Sequence, residues 1–242
     1  MPGPIVPGPL DHVVAALLLL AVPLLGRRNY RRFREEIATG GPDARRRQYW
    51  KEIRRQWAIT AALAALWVAL GRSAPALGLS VPLDIGALWG AGITALVLAF
   101  LLGQWRAVQG MSLEKLAENA SQIEGVRDLL PHTDREARVF RALALTAGVC
   151  EEIVFRGWLI AYLAAFLTPW PAAVVGGVAF GAAHAYQGLS GVLKTGATGI
   201  VTGLLYVGTG SLLWSMLIHT AIDLHGGAVG RRLIGVPTSE RG

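Results

Sequence analysis

Apolar positions in this chain come in long unbroken runs, not as one face of an alternating strand or amphipathic helix. "DIGALWGAGITALVLAFLLG" (84–103) carries no charge after Asp84. A stretch of ~18 or more such residues is long enough to cross ~30 Å of hydrocarbon as a helix. Apolar stretches recur at 10–26, 56–71, 84–105, 139–167, 170–187, 189–208 and 210–226. They predict an all-α fold, a polytopic transmembrane helical bundle of about seven to eight spans. The eighth would arise if 139–167, long for one crossing at ~1.5 Å per residue, breaks near Gly157. Leu10–Leu25 has neither a basic stretch ahead of it nor a small-x-small cleavage site, so it is expected to stay in the protein as a span.

Between the third and fourth spans, 106–138 is mixed in charge. Leu113, Leu116, Ile123, Val126, Leu129 and Leu130 recur there at helix-like spacings. Two readings stay open for it: an amphipathic helix lying along the membrane interface, or a solvated linker. No internal repeat is visible. The chain divides into N-terminal spans over 1–138, a transmembrane core over 139–226 and a tail over 227–242.

Composition agrees with lipid as the solvent. Apolar residues make up 53% of the 242 and charged residues 16%, against about 25% charged in soluble domains. The net charge of +7 is concentrated: 27–55 holds eleven Lys/Arg against four Asp/Glu. Flanked by apolar spans, that is a cytoplasmic loop obeying the positive-inside rule and facing anionic headgroups, and nucleic acid is not an expected partner. With the N-terminus outside, seven spans also put 106–138, Lys194 and the Arg231–Arg232 tail in the cytoplasm. The single cysteine, Cys150, excludes an intramolecular disulfide and a cysteine zinc cluster; a small packing residue is the expectation.

Ionisable residues inside these runs cost a few kcal/mol each and mark functional positions. Those of the second half that bear on chemistry fall in three places: Glu151, Glu152 and Arg156 in "TAGVCEEIVFRGWL"; His184 in "VAFGAAHAYQG"; His219 and Asp223 in "MLIHTAIDLHG". Residues four apart share a helix face. Glu152 and Arg156 can therefore pair, whereas Glu151 points about 100° away and is left free. Asp223 shares a face with His219 and could orient its imidazole or face the cavity separately. Phe180, one turn before His184, can wall the same pocket. Two histidines and a carboxylate on different helices can activate water by general-base chemistry, or hold a metal that lowers the water's pKa.

Three motifs occur in order on separate apolar segments: EExxxR at Glu151 to Arg156, FxxxH at Phe180 to His184, and HxxxN/D at His219 to Asp223. Together they resemble the CPBP family of CAAX proteases and bacteriocin-processing enzymes, which includes the type II CAAX prenyl endopeptidases. The resemblance covers about 139–226. It implies an intramembrane endopeptidase cleaving a membrane-associated peptide or protein, CAAX-like and prenylated or a leader peptide. By analogy Glu151 is the general base, His184 assists it, and His219 with Asp223 stabilises the oxyanion or orients the water. Glu152, Arg156 and Phe180 would support the site. Asp223 stands where many relatives have Asn, and an ionised aspartate would repel an oxyanion. Family members have been described both as glutamate proteases and as metalloproteases. The chain lacks HExxH, and no metal is required by its motifs; were zinc or another divalent ion bound, Glu151, His184 and His219 would be its ligands. The Arg- and Ala-rich composition fits an integral protein of a bacterial plasma membrane. Two other classes remain, a proton- or ion-coupled transporter and a non-catalytic membrane scaffold. Against the transporter, almost all intramembrane charge lies in the second half, without the matching halves an inverted repeat would give.

Overall fold

Four of the helices start where a short polar side chain, Asp84, Ser112, Thr133 or Ser211, takes up an orphan backbone N–H. The structure is a computed structural model describing residues 5–235, and among these residues the regular elements are helices. They are α1 (Pro9–Thr39), α2 (Ala44–Ala69), α3 (Ile85–Gln109), α4 (Leu113–Ala120), α5 (Asp134–Glu151), α6 (Ile160–Leu163), α7 (Pro169–Ala183), α8 (Gly188–Thr209) and α9 (Leu212–Ile234). Asp84 caps α3 through the Ala87 N–H, and Thr133 with Glu136 forms a reciprocal capping box on α5. Gly210, at φ 68°, ends α8 in the left-handed conformation that glycine adopts without strain.

The expected break at Gly157 does not occur. A π-helical stretch, Glu152–Leu159, joins α5 to α6 in one continuous rod. Gly157 serves packing instead: a Cβ there would lie 2.9 Å from the carbonyl oxygen of Leu77, in the short 3-10 turn Pro75–Leu77. Helix α9 continues past 226 to Ile234 with Gly227, Gly230 and Leu233 buried; Gly227 sits against Phe140 and Gly230 against Leu130. The rest of the tail, 236–242, lies outside the described residues. In 106–138, α4 and the 3-10 segment Ser121–Leu129 lean on α9. In 113–120 Leu116 is 1% exposed and Ala120 is buried, while Leu113 is exposed, so part of its apolar set turns to protein.

The α5–π–α6 rod is central. Helix α2 lies along α5 with Tyr49, Ile53, Gln56, Thr60, Leu63 and Trp67 buried, a repeat of four and three residues that keeps one stripe on one neighbour. Helix α9 crosses α5 at Gly148, where a Cβ would come 2.9 Å from the Thr220 backbone nitrogen. Helices α7 and α8 approach through facing glycines, since a Cβ on Gly181 would lie 2.8 Å from the Gly196 Cα. Small residues at such crossings let backbones touch where no hydrophobic force drives helices together in lipid.

The outer surface is apolar. Helices α1 and α3 are long and apolar enough to cross a membrane, and only 17% of the apolar window of each is buried; α7 is apolar but shorter. Leu88, Trp89, Leu96 and Phe100 of α3 are exposed, as expected of a helix facing acyl chains. Of the expected seven to eight crossings, these two helices are the ones that meet this criterion among the described residues. Basic segments distant in sequence gather at one end of the bundle: Arg34 reaches Asp128 at 2.7 Å, Arg45 reaches Glu136 at 3.1 Å, and Arg231 reaches Asp134 at 2.6 Å. At the other end buried Asp11 receives Arg72 at 2.6 Å, which ties α1 to the end of α2.

Gly148→Leu is expected to wedge α9 off α5 and to cost about 1–3 kcal/mol, read as a lower thermal midpoint in detergent. Gly92→Leu, where a Cβ meets nothing within 4 Å, is the control and should leave the midpoint unchanged.

Candidate functional site

The two adjacent carboxylates at the end of α5 sit where the helix widens. Glu151 ends α5 and Glu152 opens the π stretch, which closes i→i+5 bonds. Both side chains approach the His219 ring. Glu152 Oε1 accepts from His219 Nδ1 at 2.8 Å, and Glu151 Oε2 lies 3.9 Å from His219 Nε2. Adjacent residues thus bracket one imidazole from its two nitrogens.

His184 arrives from the far side, at the C-terminal end of α7. Its Nδ1 is 2.8 Å from the Phe180 carbonyl, one of the oxygens left over at a helix end. A carbonyl only accepts, so Nδ1 carries the proton and Nε2 presents a lone pair in the neutral ring. That Nε2 lies 4.0 Å from Glu151 Oε2, the same oxygen His219 faces. Phe180 is the shared wall: its ring centroid is 4.5 Å from His184 and 5.8 Å from His219.

Asp223 sits one turn beyond His219, with Oδ2 3.7 Å from His219 Nε2, too far for a direct hydrogen bond. The residue that orients His219 is Glu152, because the 2.8 Å bond occupies Nδ1. Side-chain exposure rises from Glu152 at 0% through His219 at 11%, His184 at 15% and Glu151 at 20% to Asp223 at 36%. The cluster is dry at Glu152 and open on the Asp223 side.

Arg156 is 2% exposed and holds the dry end. It reaches Glu152 Oε1 at 3.1 Å, donates from Nη2 to Thr202 Oγ1 at 2.9 Å, and stands 4.1 Å over the Phe180 ring. The expected Glu152–Arg156 pair is present, and it also anchors His219 and Phe180. His225 stays apart from this network, as its spacing from Asp223 implies.

Two participants escaped the motif reading. Thr202 on α8 takes one arm of Arg156. Gln56 on α2 donates from Nε2 to Glu151 Oε1 at 3.0 Å, so Glu151 is not free. The available signal for Gln56 was a polar residue on the otherwise mostly apolar buried stripe of α2. For Thr202, in a glycine-rich helix, there was none.

Among the described residues no group of three or more His, Cys, Asp or Glu is spaced to hold a metal. Glu151, His184 and His219 offer suitable donor types. Their separations of 3.9 and 4.0 Å exceed the about 3.4 Å between neighbouring donors of a tetrahedral zinc shell, so as placed they do not form one.

Residues 135–225 match the family model described as Type II CAAX prenyl endopeptidase Rce1-like. The matched segment contains all three motifs, and the resemblance read from them is a family match. No curated protein and no solved structure matches the chain. The exposed apolar helices α1 and α3 fit a membrane-embedded chain.

Arg156→Met should cost about 3–5 kcal/mol, because it strands a buried carboxylate. The double variant with Glu152→Gln should be less destabilised than the sum of the two singles. Denaturant unfolding in micelles measures both; strict additivity would mean the two side chains are not coupled.

Proposed function

We propose that the chain is an intramembrane endopeptidase in which Glu151 activates a water held between it and the two histidines. One observation carries this reading: His184 Nε2 and His219 Nε2 approach the same oxygen, Glu151 Oε2, at 4.0 and 3.9 Å. Two hydrogen bonds of about 2.8 Å meeting at one water span roughly 4 to 4.6 Å. The three groups are therefore spaced for a shared water and not for direct contact.

The chemistry follows from which atoms are already committed. Glu151 Oε1 is taken by Gln56, so Oε2 accepts the water's proton as the oxygen attacks the peptide carbonyl carbon. His184, with Nδ1 bound to Phe180, offers Nε2 to orient that water. His219, protonated on both ring nitrogens with Nδ1–H on Glu152, points Nε2–H toward the carbonyl oxygen as negative charge develops there. Collapse of the tetrahedral intermediate breaks the C–N bond, and the departing amine takes the proton back from Glu151. Asp223, the most open of the four, lines the side by which a substrate enters and helps orient the reacting groups.

Two features bear on the substrate. His184 lies at the end of α7 close to the cluster of arginines, and the positive-inside rule makes that end cytoplasmic. The opening then faces the cytoplasm near the lipid headgroups, where a membrane-associated peptide of CAAX or leader type, prenylated or not, can present a scissile bond. The absence of matching charged halves speaks against a coupled transporter, in line with the family match.

Glu151→Gln should lower the cleavage rate of a membrane-presented peptide by about 100- to 10,000-fold while leaving thermal unfolding in detergent close to that of the parent. Unchanged cleavage by this variant removes the assignment. Proton flux in liposomes with no cleavage by the parent protein would replace it with a transporter.

A further inference from the structure

A buried glutamine facing a helix neighbour is expensive unless its amide is used. Gln56 lies in the first half of the chain, outside the matched segment 135–225 and outside every motif in it. It is 9% exposed and occupies the position between Ile53 and Thr60 on the stripe that packs against α5. Apart from Thr60, its neighbours on that stripe, Tyr49, Ile53, Leu63 and Trp67, are apolar or aromatic, so packing alone would be served by Leu or Met.

Both hydrogens of its amide are spent on carboxylates. Nε2 donates to Glu52 Oε1 at 3.1 Å and to Glu151 Oε1 at 3.0 Å. Turned over, the amide would set its oxygen against both carboxylates, which fixes its orientation. Glu52 is itself held outward by Arg55 at 2.5 Å, so the far end of the amide is anchored. The carbonyl of Gln56 has no partner.

We infer that Gln56 is a positioning residue for the cleavage reaction: it holds Oε1 of Glu151 so that Oε2 alone faces His184 and His219. A carboxylate on a flexible two-carbon stem otherwise rotates between orientations, and only one of them places an oxygen at the point both imidazoles address. Fixing that rotation by a bond to the uncommitted oxygen raises the fraction of productive geometry. It acts on the chemical step and leaves substrate binding alone. The N-terminal half is in this way a component of the site and not only its scaffold. The inference rests on Glu151 acting as the base.

Gln56→Met matches the length of the side chain and removes both donors. Assayed in the full-length protein with a membrane-presented peptide, it should lower kcat by about 10- to 100-fold, the range for losing a group that orients a reacting one, with KM within about twofold and the thermal midpoint retained. Gln56→Glu sets a third carboxylate against Glu52 and Glu151, and should lower kcat further than Gln56→Met. A residue serving only the α2–α5 contact would lower the midpoint and spare kcat in whatever protein remains folded. Parental kcat in folded Gln56→Met overturns the inference, as does a kcat loss matched by a rise in KM. Failure of both variants to fold would assign Gln56 to the fold alone and overturn it as well. Run beside them, Glu151→Gln separates the two levels. If it is inactive while Gln56→Met is unaffected, only the positioning role falls; if it still cleaves, both fall.

Discussion

The site depends on how one fully buried carboxylate is partnered. Glu152 is 0% exposed in a part of the bundle where an isolated charge would cost several kcal/mol. Arg156 at 3.1 Å and His219 at 2.8 Å share the same oxygen, Oε1. The remaining connections run from these two partners. Arg156 extends to Thr202 and Phe180, and Phe180 passes the constraint to His184 through its carbonyl and its ring. Four helical segments, the π stretch with α7, α8 and α9, are thus coupled through one ion pair. Such pairs contribute little net stability but are very costly to break on one side, which makes the arrangement specific more than strong.

The second constraint is distance. His219 can reach Glu152 only because α9 approaches α5 over Gly148, and His184 can reach Glu151 only because α7 is set by its close packing with α8. Any larger side chain at these crossings would move an imidazole by more than the few tenths of an ångström a hydrogen bond tolerates. The clustered side chains are held by helices and helix ends, and rigid elements position side chains better than loops do.

Much of this was legible along the chain. Uninterrupted apolar runs announced the helices, and charges inside those runs announced Glu151, Glu152, Arg156, His184, His219 and Asp223, because lipid penalises them so heavily. What stayed hidden has physical reasons. The π stretch at Glu152–Leu159 leaves no mark in periodicity. The α-helical step assigned His219 to Asp223 by i, i+4 spacing, while the actual partner, Glu152, is 67 residues away. Gly157 read as a hinge, but its purpose is set by the Leu77 carbonyl, which no local pattern contains. Gln56 looked like the polar edge of a span; its burial follows only from the α2–α5 pairing.

The exposed apolar skin of α3 carries a consequence for handling the molecule. A helix with so little of its surface against protein acquires most of its contacts from whatever hydrocarbon surrounds it. Acyl-chain length and detergent choice are then variables of the folded state, in the way that buffer and salt are for a water-soluble enzyme. Rates measured in a short-chain micelle and in a bilayer of matched thickness belong to two differently completed versions of the same fold.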